Sequence, residues 1–168
     1  MWKIGDNVVH NNGGVFIVDE IKVMNYGFGD VNYLCLKPYY VDIVNKSLTI
    51  FVPEDKANEL IRPIMTKEEA LSAIDKIKNV EPIWFNEAKV RKEKFAELFE
   101  THDIDNICIV VKSLYLKQKE LQENNKSLNL MDYDYLKKIK KGIEEELSIV
   151  LEKTFEEITQ LIKECIGN

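Results

Sequence analysis

The pattern of hydrophobic and polar positions changes near residue 65. Before it, short apolar and β-branched runs alternate with glycine- and asparagine-rich turns, one of them at residues 11–14. The runs predict β-strands close to residues 8–10, 15–21, 32–37 and 47–53. Strands at this spacing are typical of a small antiparallel sheet or barrel.

After residue 65 the apolar positions recur with a helical period. Thr66 and Glu69 form a capping-box motif, which predicts a helix running to about Lys78. The pattern leaves open whether the last helix continues unbroken to Ile166. Further helices are predicted to start near Asn86, at Asp103 or Asp105, and at Asn129.

These two periods predict an α+β chain with two domains. Residues 1–63 would form the small antiparallel β-domain, and residues 64–168 an all-α domain. The sequence contains no internal repeat or long linker between them.

Composition narrows the function classes. The chain has 168 residues, of which 45% are hydrophobic, so it can bury a core. No apolar run reaches the length of a membrane span, and Asp6 interrupts the start before a signal-peptide core could form. The net charge of −6 argues against a large basic surface for nucleic acid but leaves a small local contact open.

Metal and nucleophile signatures are weak. Cys35, Cys108 and Cys165 are widely spaced among apolar neighbours, which predicts reduced buried thiols and neither a zinc site nor a cofactor. His10 and His102 fall in different domains without a nucleophile motif. The chain is therefore predicted not to be an enzyme.

Two further motifs have ordinary interpretations. Glu144, Glu145 and Glu146 are interpreted as a solvated helix face, the alternative being a small enzyme that uses a divalent metal there. Gly27-Phe28-Gly29 lacks the remaining parts of a phosphate loop and is interpreted as a hairpin turn.

Trp84 is the most informative single residue. It follows Pro82 and precedes Phe85 just before a predicted helix, and Lys89, Arg91, Lys92 and Lys94 come within the next turns. One interpretation packs these aromatic side chains inside the protein. The other is a wedge inserted into a DNA minor groove, with cations on the phosphates.

A second basic cluster lies near the start of the last helix. It can be a phosphate-contacting patch or a solvated helix face. Its members are Lys137, Lys138, Lys140 and Lys141.

The order of several short motifs resembles the CarD/CdnL/TRCF family of bacterial RNA-polymerase-binding regulators, over nearly the whole chain. The opening hairpin, the segment with Trp84 and the last helix follow the family order. The strand and domain-closing motifs that carry the resemblance are Ile4-Gly5-Asp6-Asn7-Val8-Val9, Tyr33-Leu34-Cys35-Leu36-Lys37, Leu48-Thr49-Ile50-Phe51-Val52-Pro53, Arg62-Pro63 and Glu81-Pro82.

The resemblance implies a Tudor-like N-terminal barrel that binds the β subunit of RNA polymerase, partly by pairing of an edge strand. It implies a helical domain that contacts promoter DNA at the upstream edge of the transcription bubble. There the family's tryptophan wedges into the minor groove and slows collapse of the bubble.

The chain departs from the family pattern at both contacts. Met24 and Phe51 stand where the family often has arginines, with Tyr26 beside them, so the contact with polymerase would be more apolar. The spacing from Trp84 to the next helix is about three residues longer than usual, and Phe85 therefore competes for the wedge position.

The resemblance and the residues together predict a transcription regulator, monomeric, cytoplasmic and associated with the bacterial nucleoid. The alternative is a polymerase-binding adaptor without DNA contact. The predicted polymerase contacts are Met24, Tyr26, Ile50 and Phe51. The predicted contacts with promoter DNA, which would be weak and not sequence-specific, are Trp84, Phe85, Lys89, Arg91, Lys92, Lys137, Lys138 and Lys141.

Overall fold

The structure is a computed structural model that describes residues 1–11 and 13–167. The chain divides into two compact units, Met1–Ile64 and Met65–Asn168. The boundary lies one residue from the one expected from the sequence. A sheet followed by helices confirms the α+β class. Of the turn predicted at residues 11–14, Asn12 lies outside the described residues.

The N-terminal unit is an antiparallel sheet of five strands in the order β4-β3-β2-β1-β5. The strands β4 and β5 are its edges, so within the described residues the sheet is not closed into the expected barrel. The strands are β1 Asn7–His10, β2 Val15–Asn25, β3 Asp30–Pro38, β4 Ile50–Pro53 and β5 Ile61–Pro63.

One face of this sheet carries the core of the unit. Val18, Leu34, Leu36 and Val52 are buried there, because alternate residues of each strand point to the same side. Pro53 ends β4, as its missing N–H predicts. A 3-10 turn at Glu54–Lys56 and the short helix α1, Ala57–Leu60, then lead into β5.

The strand β2 contains a β-bulge. Val18 pairs with Leu36, but the next residue of β3, Cys35, pairs with Glu20, which leaves Asp19 as an extra residue. Strict alternation from Val18 would place Met24 on the core side. The bulge places it on the opposite side.

The second unit is helical. Thr66 forms the predicted capping box with Glu69, and Asp103 and Asn129 cap the following helices through their side chains, as predicted. The helix expected near Asn86 begins two residues later. The helices are α2 Lys67–Asn79, α3 Ala88–Glu100, α4 Ile104–Glu123, α5 Leu130–Leu151 and α6 Phe155–Ile166.

The last helical stretch is two helices rather than one. Glu152 adopts a left-handed conformation with φ of 53° and ends α5. Thr154 then forms a second capping box with Glu157 and starts α6. The Thr-Phe-Glu-Glu motif at 154–157 is the sequence signal for this break. α6 buries Ile158 and Ile162 in the helical core.

Candidate functional site

The face of the sheet opposite the core, called here the outer face, is defined by Lys22, Met24, Tyr33, Cys35 and Phe51. The cross-strand pairs Lys22–Tyr33 and Cys35–Phe51 place these side chains on one side, and the bulge at Asp19 adds Met24 to it. Three of the five are large apolar or aromatic side chains.

Tyr26 extends this face beyond the end of β2. Its hydroxyl donates a hydrogen bond to the Met24 sulfur at 3.1 Å, and its ring meets Tyr33 edge to face with centroids 6.0 Å apart. Tyr26 is 69% exposed and Phe51 49% exposed. Three of the four residues predicted to contact polymerase therefore lie on or next to the outer face, where Met24 and Phe51 stand opposite β3 residues that are four positions apart.

Ile50 does not belong to the outer face. It pairs with Leu36, is half-buried and packs against the core of the N-terminal unit. Neighbours along a strand point to opposite sides, so Ile50 and Phe51 cannot present their side chains to one flat partner surface. The side-chain contact predicted for Ile50 is corrected on this ground.

Three highly exposed apolar residues are not among the site residues predicted from the sequence. Phe28 lies at the tip of the β2–β3 hairpin and is 96% exposed, between two glycines with positive φ. Ile43 and Val44 lie in the turn before β4 and are 88% and 93% exposed. The sequence signal for these residues is a large apolar side chain within a run of turn-forming residues, because a turn at the surface offers it no core to pack against.

Trp84 lies in an extended segment between α2 and α3. The backbone N–H of Ile83 donates to the Ser113 hydroxyl at 2.9 Å, which fixes the segment on α4. Trp84 and Phe85 are half-buried, and each ring meets the buried Phe95 edge to face, at 6.1 and 6.3 Å. Both aromatic side chains are therefore seated on the helical core with part of their surface accessible.

Arg91 is buried and does not offer a phosphate contact. It is only 3% exposed, and its Nε donates to the Asp132 carboxylate at 2.8 Å while its Nη2 bonds the other carboxylate oxygen. Another guanidinium nitrogen donates to the carbonyl oxygen of Phe85. The guanidinium carbon lies 4.3 Å from the Trp84 ring centroid. The predicted phosphate role is corrected: Arg91 holds the aromatic segment in place.

Lys92 and Lys138 meet at one cleft, although they come from the two separate basic clusters of the sequence. The cleft has a volume of about 260 Å³ between α3 and α5, and Phe95 and Tyr135 form part of its apolar lining. The two aromatic rings stack at 6.4 Å.

The charges at this cleft are mixed, because Asp134 and the Arg91-paired Asp132 line it together with Lys92 and Lys138. Partial burial lowers the pKa of Lys138 below its ordinary value; Glu100 opposes that shift and the charge of Lys92 adds to it. A phosphate that contacts both lysines would be attracted by their charges and repelled by the Asp134 carboxylate.

The other predicted phosphate contacts are dispersed over exposed surface. Lys89 lies in the first turn of α3, and Lys137 precedes Lys138 on α5. The Lys141 ammonium lies 3.8 Å from the Glu145 carboxylate. These lysines add positive charge to the exposed surface of the helical unit.

The acidic run on α5 is structural. Glu145 and Glu146 are buried, which corrects the expected solvated face. The Glu146 carboxylate accepts the backbone N–H of Met65 at 2.9 Å, and Glu144 accepts the Thr159 hydroxyl. Across residues 1–11 and 13–167, no group of three or more His, Cys, Asp or Glu side chains is placed to hold a metal ion.

The buried thiol of Cys108 is not an activated nucleophile. Burial raises the pKa of Cys108 to about 12, so this thiol stays protonated at neutral pH. In the part of the chain that the structure describes, no helix is both long and apolar enough to pass through a bilayer.

An open sheet with an edge strand and an apolar outer face places the N-terminal unit among small β modules suited to binding another protein. Residues 2–65 match the model of the CarD-like/TRCF RID domain. The N-terminal unit is therefore a CarD-like/TRCF RID domain. The helical unit lies outside the match. No curated protein matches the chain.

Proposed function

We propose that the protein is a non-enzymatic transcription regulator that binds the β subunit of RNA polymerase through its N-terminal unit. The observation that carries the proposal is the RID match, because this family is a polymerase-interacting domain. The outer face and the adjoining edge strand β4 would form the contact. An edge strand supplies main-chain hydrogen bonds, and Met24, Tyr26 and Phe51 supply apolar area.

The helical unit would contact promoter DNA at the upstream edge of the transcription bubble. Lys92 and Lys138 would hold a backbone phosphate at their shared cleft. Trp84, seated on Phe95 and beside Arg91, would stack on the last base pair before the bubble. Because this contact exists only in the open state, it would slow collapse of the bubble.

The test measures the lifetime of the open promoter complex with purified polymerase. Replacing Trp84 by Ala should shorten the lifetime roughly tenfold, since stacking on a base contributes about 1–3 kcal/mol. Trp84→Phe, which keeps an aromatic ring on Phe95, should retain most of the effect. An unchanged lifetime with Trp84→Ala, in a protein whose circular dichroism is that of the wild type, would disprove the wedge.

The phosphate contact has a separate test in the same assay. The double variant Lys92→Gln, Lys138→Gln should shorten the lifetime and reduce its dependence on salt, because two cations no longer meet phosphate. Lys94→Gln is the matched control, since Lys94 lies on the same helix in an exposed pair with Glu97 at 2.8 Å. Equal behaviour of the double variant and the control would contradict the assignment.

A polymerase-binding adaptor without DNA contact is the second candidate. The burial of Arg91 favours it, because it removes one of the expected cations, and the net charge of −6 acts in the same direction. A promoter footprint with and without the protein separates the two candidates. An upstream footprint unchanged by the protein would favour the adaptor.

A further inference from the structure

The segment between β3 and β4 is an ordered loop. The Asp42 side chain accepts the backbone N–H groups of Val44 and Asn45, both at 2.8 Å. Asn45 returns two hydrogen bonds: its Oδ1 accepts the Asp42 N–H at 2.7 Å and its Nδ2 donates to the Tyr40 carbonyl at 2.9 Å. These side-chain bonds hold the turn in one conformation without help from a hydrophobic core.

This ordered turn presents Ile43 and Val44, both almost fully exposed, at its tip. Val41 is also exposed. β-branched side chains have few rotamers, so burying them against a partner costs little side-chain entropy. A rigid tip with adjacent aliphatic side chains and a polar rim is therefore suited to insertion into an apolar pocket of another protein.

The position of the loop identifies which partner would receive the tip. The loop leads directly into β4, whose first residue, Ile50, pairs with Leu36. The edge strand β4 has only four residues, so it spans about 13 Å at about 3.3 Å per residue. A polymerase strand added along β4 reaches the loop as soon as it runs past Ile50.

We infer that the 39–48 loop is a second docking element, which inserts Ile43 and Val44 into an apolar pocket of the polymerase β subunit next to the segment that pairs with β4. This inference rests on the proposed polymerase contact. It assigns to the loop part of the binding affinity through burial of apolar side chains.

The experiment measures affinity of the full-length chain for the purified β subunit by biolayer interferometry. The double variant Ile43→Ser, Val44→Ser should weaken binding at least about tenfold, through faster dissociation. Asp42→Ala keeps both aliphatic side chains but removes the bonds that order the turn, and it should weaken binding by a smaller factor. Ile4→Ser is the matched control, because Ile4 is an exposed aliphatic residue of the same unit.

Phe51→Ser distinguishes the inference from the proposed function. Weaker binding by both Phe51→Ser and the loop variant, with Ile4→Ser unchanged, supports the inference. Loss with Phe51→Ser but wild-type binding by the loop variant overturns it and leaves the proposed contact standing. Absence of binding by the wild type overturns both. Self-association abolished by the loop variant, with affinity for the β subunit unchanged, overturns the inference in favour of a second copy of the chain.

Discussion

At the scale of single residues, the ion pair between Arg91 and Asp132 organises the candidate DNA-binding surface. Both side chains are almost fully buried, and the guanidinium reaches the Trp84 ring and the Phe85 carbonyl. Sequence reasoning selected Arg91 as a phosphate contact because four cations follow Trp84 closely. Its partner is 41 residues away, and no local pattern indicates a contact at that distance.

Asp132→Asn should lower the free energy of unfolding by about 3 kcal/mol, because it leaves a buried guanidinium without its counter-charge. Urea unfolding followed by far-UV circular dichroism measures the change. Glu97→Gln, which breaks an exposed pair with Lys94, should have little effect. The paired replacement Arg91→Met, Asp132→Leu should recover stability. Equal loss in Asp132→Asn and Glu97→Gln would contradict a structural role for the buried pair.

At the scale of elements, the helix starts show what could be predicted from local sequence. Thr66, Asp103 and Asn129 each cap a helix where the sequence places a cap. The helical period alone leaves the break between α5 and α6 open, and the local signal for it is the capping-box motif at Thr154 and Glu157. The left-handed conformation of Glu152 that ends α5 is not one that its side chain favours. Of the residues predicted to contact polymerase, Met24 and Phe51 share the outer face, and the alternation of side chains along β4 places Ile50 on the other side.

Thr154→Ala should destabilise the helical unit by about 1 kcal/mol, since the side chain satisfies the Glu157 N–H at the start of α6. Thermal unfolding measures the change, and amide hydrogen exchange should show faster opening in the first turn of α6. Thr154→Ser retains the hydroxyl and should restore both. If Thr154→Ser is as unstable as Thr154→Ala, the methyl group rather than the cap stabilises this helix start.

At the scale of the whole molecule, the two units carry different kinds of surface. The N-terminal unit exposes apolar side chains around a sheet edge, and the helical unit gathers Lys92 and Lys138 at one cleft of an otherwise acidic chain. Both features depend on residues distant in sequence that folding brings together. The amino-acid composition indicates neither the apolar surface nor the lysine cleft, because it counts residues without their positions on the surface.

The net charge of −6 predicts that the free protein binds promoter DNA too weakly to detect at physiological salt. Polymerase should make the DNA contact measurable, because a partner already bound to the promoter raises the local concentration of the helical unit. Fluorescence anisotropy of a labelled promoter fragment, with and without polymerase, measures both states. Tight binding to DNA without polymerase would contradict a contact that depends on tethering.

The β-bulge at Asp19 determines which face of the sheet the later side chains of β2 occupy. Without Asp19, Val18 and Glu20 would alternate regularly, and Met24 would remain on the same face as Phe51, while the Asp19–Lys37 ion pair would be lost. Loss of one residue beyond the bulge, such as Lys22, would instead turn Val23 outward and Met24 inward. Deletion of one residue therefore preserves the side-chain orientation beyond Asp19 at one point of the hairpin and reverses it three positions later.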